Sequence, residues 1–436
     1  MNGKRALILG GGVTGSAVAK FLLAKGAIVK VADEKETEFE AHNIADLENL
    51  DFDFAVVSPG WKPSHPLVMA LQNRGIEITN EIDLAWQNRP VGQKWFAITG
   101  TNGKTSTTEL ASAMISNSIA CGNVGKTVIE SISGGFSNLV VELSSFQIHW
   151  MREAKFEAVA ILNIADDHTD WHGSFTNYAA DKIKLLAHAE IGILNGEDGL
   201  VVKSSQSWPG KKIFFSLETP DAGELGLVEE LLVDRAFVPD PMEAGLIAEL
   251  TEVIPTVPHN VSNALAAAGL ARAAGEELSD IRTAIKNFRP GRHRIEVVLE
   301  KNGISWVNDS KATNPHAALA SILACNSAIW IAGGLAKGAS MVELVERAKS
   351  RIKHALLIGT DRELIATELR KHNVPFEMID DIDVMAKVIS RAKEIASEGD
   401  TVLLAPACAS MDQFKSYADR GEQFVTQVTS KVKNEA

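Results

Sequence analysis

The sequence predicts an α/β protein built on parallel sheets, and three observations lead to this prediction. Short apolar segments that resemble strands alternate with helical patterns along most of the chain, as in βαβ units. Glycine-rich loops follow apolar segments at residues 10–15 and 100–103, where such sheets bind ligands. The length of 436 residues predicts two or three domains, because single hydrophobic cores stop growing at about 250–300 residues.

The first block opens with an apolar strand at residues 6–9. Gly10, Gly12 and Gly15 follow it in a G-x-G-x-x-G pattern, and Asp33 ends the next strand. Glycines at these positions let a pyrophosphate approach the backbone. The loop therefore fits NAD or a nucleotide-sugar diphosphate, and a purely structural glycine turn is the alternative.

The second block contains a glycine loop at residues 100–105, between an apolar strand and a helical stretch. Backbone N–H groups in such a loop converge on phosphate oxygens. Lys104 would neutralise phosphate charge, and Thr105 would bind Mg²⁺. The loop departs from the usual Walker spacing, because no glycine stands at position 98. An ordinary Asn-Gly turn is the alternative.

Polar residues also follow two other strands of this block. Glu142 ends an apolar segment, and residues 166–172 form an Asp/His-rich segment after another. Carboxylates and imidazoles suit Mg²⁺ or Mn²⁺, whereas Asp also caps helices, so both interpretations stand. Taken alone, Lys182 is typical of a solvated helix, and so is Lys337, although its flanking glycines allow an anion-binding turn.

The third block repeats the α/β rhythm, with strands predicted at residues 328–332, 355–359 and 401–405 and an unusually polar loop at 308–315. Plausible linkers lie at 88–92 and 288–291. We therefore predict domains at residues 1–88, 89–290 and 291–436.

Composition excludes several classes of protein. The formal net charge of −13 argues against non-specific nucleic-acid binding, which needs a basic face. The three cysteines, Cys121, Cys325 and Cys408, show neither a disulfide framework nor zinc spacing, which favours a reducing compartment. No apolar run approaches the length of a membrane span, and the first residues do not form a signal peptide. We expect a cytoplasmic protein.

Five motifs occur in the order found in Mur ligases, a family of ATP-dependent amide ligases that this chain resembles over its whole length. The motifs are GTNGKT at 100–105, ELSSFQ at 142–147, DHTD at 167–170, HNVSN at 259–263 and DSKATN at 309–314.

The two ends of the chain resemble the branch of the family that adds D-glutamate. The segments concerned are GVTG at 12–15, SPG at 58–60, PACASMDQF at 406–414 and RGEQF at 420–424. The Asp-Asn-Pro-Arg pattern of ligases that add a diamino acid is absent.

The resemblance implies three α/β domains: a Rossmann-like N-terminal domain for the UDP substrate, a central P-loop ATPase domain and a Rossmann-like C-terminal domain. It implies ligation of D-glutamate to UDP-N-acetylmuramoyl-L-alanine in cytoplasmic peptidoglycan precursor synthesis. ATP, two Mg²⁺ ions (with Mn²⁺ as an alternative) and CO₂ bound as a lysine carbamate are the implied cofactors. We expect a monomer.

The resemblance also implies residue roles. The ATP contacts are Gly100, Thr101, Asn102, Gly103, Lys104, Thr105, Asn260, Asn263, Arg294, Asp309 and Lys311. The metal ligands are Thr105, Glu142, His168 and Lys182, the last as a carbamate. Lys104, His168 and Lys182 form the catalytic set.

Two further sets follow from the same resemblance. The UDP-substrate contacts are Val13, Thr14, Gly15, Asp33, Glu34, Lys35, Ser58 and Asn123. The D-glutamate contacts are Thr313, Lys337, Ser410, Met411 and Tyr417. Glu34-Lys35 departs from the Thr-Arg of the family pattern, and Tyr417 adds a hydroxyl group to the expected aromatic ring.

The implied reaction forms an acyl phosphate from the substrate carboxylate, which the amine of D-glutamate then attacks. His168 is a candidate base for the amine. A ligase that acts on folate is one rival, and the glycine loop of the first block discriminates against it. A dehydrogenase is suggested by that loop taken alone, and a non-enzymatic nucleotide sensor would need only the phosphate loop.

Overall fold

The computed structural model describes residues 1–33, 41–42, 51–380 and 382–433, so Glu34 and Lys35 lie outside the described residues. The predicted α/β class is confirmed: helices alternate with strands, and three sheets are formed.

The first sheet is entirely parallel, with the strand order β3-β2-β1-β4-β5. Its strands are β1 Arg5–Leu9, β2 Ile28–Ala32, β3 Ala41–His42, β4 Phe54–Val57 and β5 Glu77–Asn80. Its helices are Val13–Ala24, Pro66–Asn73 and Glu81–Asn88. Strands β1 and β4 consist almost entirely of apolar residues, and both faces of each strand are buried. This pattern is expected for central strands of a parallel sheet.

The second sheet has nine strands in the order β14-β13-β12-β11-β10-β9-β6-β8-β7. The strands are β6 Lys94–Thr99, β7 Ser118–Gly122, β8 Asn138–Glu142, β9 Phe156–Ile161, β10 Ala189–Asn195, β11 Lys211–Phe215, β12 Leu225–Val228, β13 Leu231–Asp234 and β14 Gly245–Glu249. Only the β12–β13 and β13–β14 pairs are antiparallel. Residues 221–258, which the sequence pattern left unassigned, supply this antiparallel end.

The α-helices of this region are Lys104–Met114, Val128–Ser131, Ser145–Trp150, Thr169–His172, Phe175–Ile183, Gly199–Ser205, Pro258–Ala274 and Leu278–Asn287. Short 3₁₀ helices occupy Lys184–His188 and Leu250–Glu252.

The third sheet has the order β15-β16-β20-β17-β18-β19, and only the β15–β16 pair is antiparallel. Its strands are β15 Glu296–Lys301, β16 Ile304–Asn308, β17 Ala328–Gly333, β18 Ile352–Ile358, β19 Phe376–Met378 and β20 Thr401–Leu404. The helices are Pro315–Leu323, Val342–Ala348, Arg362–Lys371, Val384–Ile395 and Tyr417–Val428, followed by a π-helical turn at Thr429–Lys433.

The described chain forms two compact units. One comprises Met1–Ile164, Trp171–Thr256 and Asn260–Phe288, and the other comprises Ala165–Asp170, Val257–His259 and Arg289–Ala436. The first unit contains the first and second sheets. One apolar core includes buried residues from both of them. The boundaries 1–88, 89–290 and 291–436 stay predictions.

A polar junction also joins the two sheets of the first unit. Asp83 accepts hydrogen bonds from the backbone N–H groups of Arg152, Glu153 and Ala154 at 2.8–3.0 Å. Glu81 accepts one from Ile129 N at 2.6 Å. Both carboxylates are buried, so these bonds satisfy groups that would otherwise lose their hydration without compensation.

Candidate functional site

The glycine loop of the first sheet lies at the carboxyl ends of β1, β2 and β4. Gly15 must be a glycine, because a Cβ there would collide with the carbonyl oxygen of Gly10. Asp33 Oδ2 accepts from Gly11 N at 2.7 Å, and Ser58 Oγ donates to Gly10 O at 3.1 Å. The structure therefore brings together these predicted UDP-substrate residues, with Val13 exposed and Thr14 half-buried beside them.

The predicted phosphate loop connects β6 to the helix Lys104–Met114. Gly103 precedes the helix with φ at 82°, a left-handed conformation that glycine adopts without strain. Lys104 Nζ donates to Gly100 O at 2.8 Å and to Thr101 O at 3.0 Å. The loop thus places an ammonium group and a helix N-terminus together, which suits an anionic phosphate chain.

Two asparagines hold this loop in place. Asn163 Oδ1 accepts from Asn102 N at 2.8 Å, and its Nδ2 donates to Asn102 O at 3.1 Å. Asn263 lies against Gly103, since a Cβ on that glycine would collide with Asn263 Oδ1. The side chain of Asn260 donates to Pro255 O at 3.0 Å. Asn163 was not among the predicted site residues, although it follows β9 closely, and residues at such strand ends often bind ligands.

Glu142, at the end of β8, is the predicted metal ligand with the clearest geometry. Its side chain is 1% exposed. Oε1 accepts from Asn123 Nδ2 at 2.7 Å, whereas Oε2 is buried and has no hydrogen-bond partner. A buried carboxylate oxygen without a partner is costly unless a cation or donor satisfies it. The residue therefore fits a Mg²⁺ site.

Three or more His, Cys, Asp or Glu side chains do not meet in a metal-binding cluster anywhere in residues 1–33, 51–380 and 382–433. The predicted metal ligands are Glu142, His168, the hydroxyl group of Thr105 and the carbamate of Lys182. The ammonium group of unmodified lysine is a cation without a lone pair, whereas its carbamate offers negatively charged oxygens to a metal.

Lys182 is 1% exposed, so the structure contradicts the interpretation of a solvated helix lysine. Its Nζ donates to Gly100 O at 2.8 Å and lies 4.8 Å from the ring centroid of Tyr178. The hydroxyl oxygens of Tyr178 and Thr101 are 2.9 Å apart. The helix Phe175–Ile183 therefore places both residues directly against the phosphate loop.

A buried polar chain connects the helix after Glu142 with the helix that carries Lys182. His172 Nε2 lies 2.9 Å from Ser145 Oγ, and its Nδ1 lies 2.9 Å from Asp181 Oδ2. His149 Nδ1 reaches the same carboxylate oxygen at 2.9 Å. Burial works to raise the pKa of Asp181, but these hydrogen bonds outweigh burial and lower the pKa. The sequence pattern did not predict this series of hydrogen bonds.

Backbone conformation marks two other predicted site residues. His168 and Lys337 adopt φ values of 52° and 50°, in the left-handed region that costs a non-glycine residue about 1–2 kcal/mol. Such strain collects at functional sites. His168 belongs to the second unit, where its Nε2 lies 3.6 Å from Asp167 Oδ2.

The loop after β16 carries two predicted nucleotide contacts of the second unit, Asp309 and Lys311, and the third, Arg294, precedes β15. Asp309 is buried, and burial raises the pKa of its carboxyl group to about 6 against the opposing effects of Ser321, Ile295 N and the charge of Arg294. Lys311 Nζ lies 4.0 Å from the ring centroid of Tyr417. The backbone N–H of Thr313 donates to Lys311 O at 2.8 Å.

The predicted D-glutamate residues follow the neighbouring strands β17 and β20. Leu335 and Ala409 exchange two backbone hydrogen bonds of 2.9 Å, which brings the loop of Lys337 beside the loop of Ser410. Ser410 is 3% exposed and Met411 is 63% exposed. Thr313 follows β16, which is adjacent to β20 as β17 is, so Thr313, Lys337, Ser410 and Met411 lie on loops at one edge of the sheet. Tyr417 is the first residue of the helix Tyr417–Val428.

Arg420 ties these loops together. Its side chain is completely buried, and its guanidinium donates to Ser310 Oγ at 2.9 Å, Ser310 O at 3.0 Å and Cys408 O at 3.2 Å. Burial lowers its pKa to about 10. Sequence reasoning noted Arg420 as part of a motif and gave it no role. Cys408 is buried, and burial raises the pKa of its thiol to about 12.

In the part of the chain that the structure describes, none of the helices combines the length and apolar character needed to cross a bilayer.

Three family models match successive parts of the chain. Residues 4–80 match the Mur ligase MurD-like N-terminal domain, residues 98–271 match the Mur ligase middle domain, and residues 293–408 match the Mur ligase glutamate ligase domain.

Curated relatives match over nearly the full length of both chains. A UDP-N-acetylmuramoylalanine–D-glutamate ligase from Thermobifida fusca is 43% identical over 98% of each chain. The protein of the same name from Streptomyces coelicolor is 40% identical over 98% of each chain. That from Mycobacterium bovis is 38% identical over 99% of this chain and 97% of its own.

Solved structures share the fold at lower identity. A pseudomurein peptide ligase type C from Methanothermus fervidus has a TM-score of 0.63 at 16% identity, covering 97% of this chain and 99% of its own. The MurF ligase from Thermotoga maritima in complex with ADP has a TM-score of 0.59 at 17% identity, covering 100% and 96%. Three successive family models and relatives at 38–43% identity lead to one conclusion: this chain belongs to the Mur ligase family.

Proposed function

We propose that this chain catalyses the ATP-dependent, ADP-forming ligation of D-glutamate to UDP-N-acetylmuramoyl-L-alanine in peptidoglycan precursor synthesis. The observation that carries the proposal is the 43% identity, over 98% of both chains, to a ligase named for this reaction. The site geometry supports it, because the phosphate loop and Glu142 lie at the carboxyl ends of the adjacent strands β6 and β8, and Lys182 Nζ donates to Gly100 O of that loop.

The first step joins the carboxylate of the alanyl group to the γ-phosphorus of ATP. A C–O–P linkage forms, the bond to the β-phosphate oxygen breaks, and ADP leaves. Such phosphoryl transfer depends on positioning and on neutralising charge. Lys104 is held at the phosphate loop by Gly100 O and Thr101 O, where its ammonium group would neutralise charge on the transferred phosphoryl group.

In the second step the amine of D-glutamate attacks the acyl carbon. The tetrahedral intermediate collapses, and inorganic phosphate leaves with the C–O bonding electrons. One proton must leave the attacking nitrogen. Lys337 and Ser410 supply an ammonium group and a hydroxyl group that complement the carboxylates of the amino acid.

Glu142, Thr105, His168 and the carbamate of Lys182 would hold two Mg²⁺ ions. Bound there, the ions would neutralise developing phosphate charge and orient the reacting oxygens. The partnerless Oε2 of Glu142 supports this assignment. We further propose that the chain acts as a monomer in the cytoplasm on small-molecule substrates.

The test is phosphate release by the full-length chain with ATP, Mg²⁺ and UDP-N-acetylmuramoyl-L-alanine, comparing D-glutamate with L-glutamate, L-lysine and meso-diaminopimelate. We expect turnover with D-glutamate alone. Efficient use of another amino acid would place the chain in a different branch of the family.

A matched variant tests the assignment of the phosphate loop. Lys104→Ala should abolish ligation and leave binding of the UDP substrate intact, because Lys104 begins the helix after β6 of the second sheet, whereas the glycine loop at 10–15 follows β1 of the first sheet. Appreciable turnover in this variant would show that the loop is misassigned.

A further inference from the structure

The loop that follows β4 places a tryptophan ring over the glycine loop of the first sheet. An ideal Cβ on Gly10 would lie 2.8 Å from Trp61 Nε1, so the indole N–H group is in close contact with the backbone of this loop. Gly10 has φ at 95° and carries no side chain to displace the ring. Gly10 stands two residues before Gly12, the N-cap of the helix Val13–Ala24, so the indole contacts the loop that leads into this helix.

Two tryptophans from the second sheet's region fix the backbone of the same loop. Trp171 Nε1 donates to Gly60 O at 3.0 Å, and Trp150 Nε1 donates to Trp61 O at 3.2 Å. The turn is closed by Trp61 N, which donates to Ser58 O at 3.1 Å. These hydrogen bonds to the carbonyl groups of two successive residues restrict the movement of Gly60 and Trp61.

The Trp61 ring itself is held from one side. Its centroid lies 4.4 Å from that of His65, and the residue is half-buried. Within residues 1–33, 51–380 and 382–433, its Nε1 takes part in none of the hydrogen bonds, unlike the indole N–H groups of Trp150 and Trp171. Indole nitrogen is a donor only, so it can serve an anion and cannot serve a cation.

We infer that Trp61 is a substrate-binding residue whose indole N–H donates a hydrogen bond to the diphosphate of the UDP-linked substrate at the glycine loop. The inference rests on the proposed function and assigns a contact within it. Glycines at positions 10, 12 and 15 allow a diphosphate to approach the backbone, and the N-terminal end of the helix favours the negative charge. Trp61 supplies a side-chain donor beside Gly10 of the same loop.

The anchoring tryptophans have a positioning role in this arrangement. Because Trp171 and Trp150 hold the carbonyl groups of Gly60 and Trp61, they set the place of the indole ring without touching the ligand. Loss of one anchor should therefore weaken diphosphate binding less than loss of the Trp61 donor itself.

The experiment compares UDP with uridine as probes of the full-length chain, by isothermal titration and by competition against UDP-N-acetylmuramoyl-L-alanine. Trp61→Phe keeps an aromatic ring against His65 and removes the N–H group. We expect its affinity for UDP to fall about tenfold, as for a lost hydrogen bond to a charged group, while its affinity for uridine stays unchanged. Trp171→Phe should lower UDP affinity by about threefold, as for a neutral hydrogen bond.

Trp208→Phe is the matched control, since it removes an indole N–H group in the segment before β11, and it should bind both probes normally. Thermal unfolding of each variant verifies the fold. Unchanged UDP affinity in Trp61→Phe, or an equal loss for uridine, would overturn this inference and leave the proposed function standing. Failure of the unaltered chain to bind UDP or the UDP substrate would overturn the proposed function itself.

Discussion

The hydroxyl oxygen of Tyr178 lies 2.9 Å from that of Thr101, and this contact joins the helix that carries Lys182 to the phosphate loop. Tyr178 is 1% exposed. Its ring also lies under Lys182 Nζ, so one side chain positions both the loop and the lysine.

Tyr178→Phe keeps the ring and removes the hydroxyl group. We expect kcat/KM for ATP to fall about three- to tenfold, the range for one neutral hydrogen bond, with little change in the KM for D-glutamate. Initial rates of phosphate release with each substrate varied in turn measure this. A wild-type rate at all ATP concentrations would contradict the positioning role.

Glu142→Gln removes the negative charge from a side chain of nearly unchanged shape. Because Glu142 Oε2 is buried without a partner, we expect the apparent affinity for Mg²⁺ to fall at least about tenfold, as when one ligand of a charged site is lost. Turnover at different Mg²⁺ concentrations measures this. Glu153→Gln is the control on an exposed carboxylate of the same unit, and an equal effect there would dismiss a specific metal role.

Lys182→Ala should be nearly inactive. A short carboxylic acid added to the solution should restore part of the activity by occupying the place of the carbamate. Lys182→Arg should not be rescued, because guanidinium keeps its positive charge. The measurement is phosphate release with and without the acid. Activity close to wild type in Lys182→Ala would rule out the proposed role.

Ser410→Ala and Lys337→Ala should raise the KM for D-glutamate more than the KM for ATP. Both residues lie on loops that the Leu335–Ala409 hydrogen bonds hold side by side, and both complement a carboxylate. We expect an increase of about tenfold for Lys337→Ala, since a hydrogen bond to a charged group is removed. A rise in the KM for ATP alone would show that the pocket is misassigned.

Glu81 gives the stability of the first unit a dependence on pH. Burial raises the pKa of its carboxyl group from 4.5 to about 7, against the lowering effect of the hydrogen bonds from Ile129 and Val128. The folded protein therefore binds this proton more tightly than the unfolded chain. Its contribution to the free energy of unfolding is complete below about pH 4.5 and is lost as the pH rises through about 7.

Glu81→Gln is a neutral substitute that does not titrate. We expect its free energy of unfolding, relative to that of the unaltered chain, to rise by about 3 kcal/mol between pH 4.5 and pH 8, since each pKa unit corresponds to about 1.4 kcal/mol. Denaturant unfolding at several pH values measures the difference. A difference that stays constant with pH would refute the assignment.

The parts of this molecule that depend on local pattern could be predicted from sequence. The glycine loops at 10–15 and 100–105 follow strands as expected, because glycine content and apolar runs are local signals. Asp33 and Glu142 were singled out because they stand at the carboxyl ends of strands, where a parallel sheet gathers its ligand residues, whereas Ser58 was assigned from the family resemblance.

Other features depend on tertiary contacts and carry weak local signals. Lys182 resembles a surface lysine until the structure shows that its helix packs against Gly100. Asp83 accepts three backbone hydrogen bonds from residues about 70 positions away, which no short window of sequence indicates. The antiparallel strands β12 to β14 lie in a stretch rich in proline, where periodicity fails.

Arg420 makes the loops of the third sheet mechanically interdependent. One rigid, planar group is fastened to Ser310 on one loop and to Cys408 on another, so a displacement of either loop must strain or break bonds on both. A small molecule that wedges apart the predicted amino-acid loop would thereby also distort the segment of Asp309 and Lys311. Such a compound would act on the loops of two predicted substrate sites through one point of attack.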